Sequence, residues 1–98
     1  MSHDIRPLLV FFASRRSGPA RRMESLLAHL ARKERSRLRV LSVDIEQQPE
    51  LAQRFGVETV PTLVLVKEKR AVARIEGRAS APRIEAMLAT HLAASTTV

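Results

Sequence analysis

Leu8-Leu9-Val10-Phe11-Phe12-Ala13 is an apolar run with no polar residue at alternate positions. A strand with one wet face alternates, whereas a run without alternation is apolar on both faces. Such a strand belongs inside a sheet, with neighbours on both sides and covering layers above and below. The run ends in the polar segment Ser14-Arg15-Arg16-Ser17 and passes at once into helical signals. Ser17 suits an N-cap and Pro19 the first helical turn. Met23, Leu26, Leu27 and Leu30 fall at i, i+3, i+4 and i+7, one apolar stripe. Arg21, Arg22, Ser25, His29, Arg32 and Lys33 take the other side. The strand's carboxyl end therefore meets the helix's positive amino end, the usual seat of chemistry in an α/β protein.

The rest of the chain supplies the neighbours that the central strand needs. Leu38 to Asp44 reads as a second strand, with Leu38, Val40, Leu41 and Val43 serving both faces. Pro49 opens a short helix through Phe55, and Gly56 stands where a helix ends in the left-handed conformation. Thr62 to Val66 is a third strand, Lys67 to Arg70 a charged turn, and Ala71 to Glu76 a fourth strand ending at Gly77. One short turn makes the last two strands antiparallel neighbours. Ser80 or Ala81 caps a final helix whose inner face is Ile84, Met87, Leu88, His91 and Leu92. The order is β-α-β-α-β-β-α. The first crossover makes strands one and two parallel and should be right-handed. At 98 residues this is a single domain, 1–98, with its core over about 7–92 and a frayed tail at 93–98.

Composition narrows the chemistry. With no cysteine, the chain has no disulfide, no thiolate nucleophile and no Cys-ligated metal. His3, His29 and His91 are too scattered for a metal spacing, so neither a metal nor a cofactor is expected. No run is long enough to span a bilayer, and the amino terminus lacks the apolar region of a secretory signal, which together predict a cytoplasmic protein. The net charge is +7, and its placement is uneven. Residues 1–43 carry ten Arg or Lys against Asp4, Glu24 and Glu34, whereas residues 44–98 balance seven against seven. Most of the cations are Arg, suited to bidentate anion contacts. An anion site at the helix start would use the backbone N–H groups of Ser17, Gly18 and Ala20, ringed by Arg15, Arg16, Arg21 and Arg22. A solvated, solubilising rim is the bland alternative for any one of these arginines. Specific nucleic-acid binding is not expected, because no aromatic residues are placed for stacking and no recognised motif occurs.

Two segments carry a family resemblance. VFFASRRSGPARR resembles the thioredoxin active-site segment, a strand followed by W-C-G-P-C-K. VDIEQQPELAQRFGVETVPTLVLVKEKRAVARIEG resembles the family's third strand, short helix, cis-proline segment and final hairpin. The resemblance covers about Leu8 to Leu92. It implies a minimal thioredoxin-like α/β fold: a four-stranded mixed sheet in order 2-1-3-4 with helices on both faces. The family's usual first strand and first helix are missing. The KaiB family of clock proteins, which also lacks them, shares the PxLA and PTL pattern seen at Pro49–Ala52 and Pro61–Leu63 and is the runner-up, as a regulatory interaction domain.

Where the family has its two cysteines, this chain has Ser17 and Ala20, and Gly18-Pro19 between them is kept. The family's tryptophan position is Arg16, its buried aspartate falls at Phe11, and the neighbouring lysine at Ser42. Dithiol exchange needs an attacking thiolate, a resolving thiol and a proton route, so the resemblance does not extend to a disulfide oxidoreductase. Ser17 is the one candidate nucleophile left at the loop. It has no base near it in sequence, and catalysis is not expected. What the resemblance does imply is a peptide groove. In this family an extended segment pairs with the residue before the cis-proline, here Val60 before Pro61, between walls of Thr59, Gly77 and Arg78. The expected function is a non-redox adaptor or chaperone-like module that binds a protein or extended peptide of acidic character.

Overall fold

β1 (Leu8–Ala13) lies in the middle of the sheet. The computed structural model describes residues 6–15 and 18–92, so Arg16, Ser17 and the tail 93–98 lie outside the described residues. After β1 come α1 (Gly18–Lys33), β2 (Arg39–Asp44), α2 (Pro49–Arg54), β3 (Thr62–Lys67), β4 (Arg70–Glu76) and α3 (Ala81–His91). The sheet order is β2-β1-β3-β4. β1 runs parallel to β2 and antiparallel to β3, and β4 is antiparallel to β3. Each element matches the sequence reading to within a residue or so.

The apolar run of β1 divides by parity. Leu9, Phe11 and Ala13 enter one core with Met23, Leu27 and Leu30 of α1 and Ile84 and Leu88 of α3. Val10 and Phe12 enter a second core with Val43, Val64 and Ala52 of α2. Phe12 also meets Phe55, ring centroids 5.7 Å apart at 54°. That tilted arrangement suits the aromatic quadrupole. Period two thus sends a continuous hydrophobic run into two layers at once.

Coverage of the two faces is unequal. α1 and α3 lie over the first, while the other has only the six residues of α2. Leu41, expected to be core, is 45% exposed. It pairs with Val10 on the α2 face, but β2 is an edge strand and α2 does not reach that far along it. Leu38 is buried but precedes the strand, its N–H donating to Glu34 O at 2.9 Å. α2 ends at Phe55 with Gly56 at φ +65°, and Arg74 of β4 donates to the carbonyls of Phe55 and Gly56 at 3.2 Å. These bonds satisfy carbonyls that the end of the helix leaves open.

The β3–β4 hairpin closes at the Lys67–Arg70 pair through Glu68 (φ 52°) and Lys69 (φ 69°). A two-residue turn with both central residues at positive φ matches strand twist, but it favours Asn and Gly over Glu and Lys. Lys69→Gly should relieve this strain. The expected gain is about 0.5–1 kcal/mol, read as a higher urea midpoint at unchanged slope.

Candidate functional site

Four segments converge at one end of the sheet. Phe12 pairs with Thr62, and Thr62 in turn with Glu76. The end of β1, the start of β3 and the end of β4 are therefore adjacent, and α1 begins a few residues beyond Ala13. This register places Pro61 beside Gly77, with Thr59 and Val60 just before the one and Arg78 just after the other. The Val60–Pro61 peptide bond is cis.

Two local bonds hold this corner. Thr62 is fully buried, and its hydroxyl donates to Thr59 O at 2.7 Å. Gly77 N–H donates to Pro61 O at 2.8 Å. Gly77 sits at φ +86°, a conformation in which a side chain is strained, so glycine here lets β4 turn back against Pro61. Pro61 is buried, Val60 half-buried, and Thr59 and Arg78 are exposed. Between the two anchored positions, neither the N–H nor the C=O of Val60 has a hydrogen-bond partner among the described residues. An unpaired backbone donor and acceptor on a partly buried residue is where an added strand gains most.

The other half of the candidate site is the start of α1. Gly18, Arg21 and Arg22 are exposed, while Arg16 and Ser17 lie outside the described residues. Arg15 does not aim its charge at an empty helix end. Its Nε lies 3.6 Å from Asp44 Oδ2 at the carboxyl end of β2. Asp44 also accepts the N–H of Glu46 at 2.9 Å. The sequence reading missed this pair because 29 residues separate the partners and only the parallel β1–β2 register brings them together. An acidic residue ending a strand next to the proposed site was the available signal.

Behind Arg15 a cavity of about 220 Å³ opens between Phe11, Ala13, Glu24, Ser42 and Asp44. Phe11 and Ser42, which stand at the family's buried aspartate and its lysine neighbour, are register partners, and Phe11 is 1% exposed. At these two positions the cavity is lined by a hydrocarbon ring and a hydroxyl. The cavity's carboxylates are Glu24, which is exposed, and Asp44, which faces Arg15. Among the described residues no cluster of His, Cys, Asp or Glu is placed to hold a metal ion. No helix among them is long and apolar enough to cross a membrane.

Comparison with known proteins agrees with this geometry. The family model described as Thioredoxin matches residues 1–90. Thioredoxin of Alicyclobacillus acidocaldarius is 32% identical over 87 residues, covering 89% of this chain and 83% of that one. Among solved structures, the germline-specific thioredoxin Deadhead of Drosophila melanogaster superposes with a TM-score of 0.83 at 32% identity, over 90% of this chain and 83% of its own. Thioredoxin NaTrxh of Nicotiana alata gives 0.84 at 27% identity, over 91% and 76%.

The two glycines of the site should respond differently to a methyl group. Gly77→Ala is expected to cost about 1–2 kcal/mol, because alanine must adopt the left-handed conformation. At Gly18 a Cβ meets nothing within 4 Å, so Gly18→Ala should change stability by less than about 0.5 kcal/mol. Urea unfolding of the pair checks both.

Proposed function

Since the chain belongs to the thioredoxin family and has no cysteine with which to exchange a disulfide, we propose that it works as a binding module that takes an extended protein segment along Val60. The observation that carries this reading is the open backbone of Val60, held between the Thr62–Thr59 and Gly77–Pro61 bonds. Strand addition needs a free donor and acceptor in a fixed frame, and sulfur plays no part in it. Two backbone hydrogen bonds contribute only about 1–3 kcal/mol net. Side chains of the partner resting on Thr59, Pro61 and Gly77 supply the remainder. Arg78 and the exposed Arg21 and Arg22 favour an acidic partner through long-range steering more than through any one ion pair.

A small-anion site at the start of α1 is the second reading. The Arg15–Asp44 pair weighs against it, since a carboxylate already faces one of its four candidate cations. A catalytic role for Ser17 is not part of this reading, since Asp44, a carboxylate of the cavity behind Arg15, is already engaged with that arginine.

Amide-shift titration separates these readings. With a soluble, extended Glu- and Val-containing peptide, Thr59, Val60, Gly77 and Arg78 should shift together. With inorganic phosphate they should not. A phosphate response confined to 18–22 supports the anion site, and a peptide that leaves Val60 unmoved overturns the groove. In an insulin-reduction assay the protein should show no turnover above a cysteine-free control, whereas a clear rate would contradict the non-redox reading.

A further inference from the structure

β2 is the edge of the sheet farthest from β4, and among the described residues no strand or helix closes it. Arg39 N–H donates to Pro7 O and Ile45 N–H to Ala13 O, so the odd-numbered residues of β2 point their backbone groups at β1. Period two then turns the N–H and C=O of Val40 and Ser42 outward, away from β1, on the side where the sheet has no further strand among the described residues. Natural edges are usually blunted by a proline, a bulge or a central lysine. Here the register with β1 runs unbroken from Arg39 to Asp44, and the middle residue is Leu41 at 45% exposure. The edge is competent to pair.

Charge selects the occupant. The segment that leads into this edge, Arg32 to Arg39, carries Arg32, Lys33, Arg35, Arg37 and Arg39 against its one acid, Glu34, and Lys33 faces Glu85 of α3 at 3.6 Å. Glu34 is engaged by Arg37, at 2.8 Å from Nη2. Arg6 joins them, its guanidinium donating to Arg35 O. These cations lie toward the opposite end of α1 from Arg21 and Arg22, and even the nearest pair along the helix, Arg22 and Arg32, is about 15 Å apart in axial rise. The sheet thus has a second basic region, at the open strand edge and away from Val60. A net charge of +7 on each copy opposes self-pairing and attracts a strand of opposite sign.

We infer that the β2 edge is a second docking surface, which takes an extended acidic segment by strand addition, with backbone bonds to Val40 and Ser42, an apolar side chain over Leu41 and carboxylates toward Arg35–Arg39. The surface is independent of the Val60 groove, and residue-resolved data distinguish the two.

The test is a ¹⁵N amide titration with a synthetic ten-residue peptide of alternating Glu and Val, repeated on two variants. Val40 and Ser42 amides should exchange freely in the free protein and become protected with the peptide. Ser42→Pro removes an outward N–H without touching the β1–β2 ladder, so the fold is retained. Its affinity at this edge should fall about tenfold while any response at Val60 persists. Arg35→Glu should weaken the same response about threefold and reduce its salt sensitivity. Peptide shifts confined to Val60 and Gly77, or equal binding by both variants, would overturn the inference. So would protection of Val40 and Ser42 by concentration-dependent dimerisation in sedimentation, which would assign the edge to a second copy. An RNA oligonucleotide that moves Arg35–Arg39 when the peptide does not would assign the charge to nucleic acid instead.

Discussion

A strand that is apolar on both faces has no stable place at a rim, and this requirement on β1 orders the rest of the molecule. Leu9 and Phe11 require a layer on one side, Val10 and Phe12 a layer on the other, and both backbone edges require partners. β2 and β3 meet the second demand, α1 with α3 and α2 meet the first. Each neighbour of β1 then brings something to its carboxyl end. β2 brings Asp44 to Arg15, and β3 brings Val60 and Pro61. β4, one strand farther, brings Gly77. Assembling the core therefore assembles the site.

What that site lacks is as informative as what it holds. Thioredoxin relatives share the frame over most of this chain. Yet Phe11 and Ser42 are cross-strand partners, so the positions at which the family keeps a charged pair hold a phenyl ring and a hydroxyl. The missing thiols and the missing proton route are one coherent change. A buried carboxylate without a thiol to serve would carry its desolvation cost for nothing, whereas a buried Phe adds to the core. The backbone of Val60, the Gly77–Pro61 bond and the Thr62 anchor do not depend on sulfur and are intact. The proposed function follows from this division: the thiols of dithiol exchange are absent, and the backbone frame proposed to hold a chain is present.

Much of this was legible in the sequence. Unbroken apolarity placed β1 at the centre, the 3.6-residue stripe placed α1, and Gly56 marked the left-handed end of α2. Other features were not, for definite reasons. The Glu68–Lys69 turn has positive φ at residues that give no such signal, because the strands on either side impose the conformation. Leu41 reads as core because apolarity says nothing about how far a covering helix extends. The Arg15–Asp44 pair depends on a register between distant strands. The charge of the first half looked like one basic region in the sequence, whereas α1 carries it to opposite ends of the sheet.

The central claim is that recognition runs through a backbone position and not through sulfur or a single charge. It is tested most directly by measuring the affinity of one binding peptide as each of its peptide nitrogens is methylated in turn. Methylation at the one nitrogen that faces the Val60 carbonyl should weaken binding about tenfold, with little effect at nitrogens pointing away. Affinity that is indifferent to methylation at every position, and instead follows only the peptide's charge, would contradict the account.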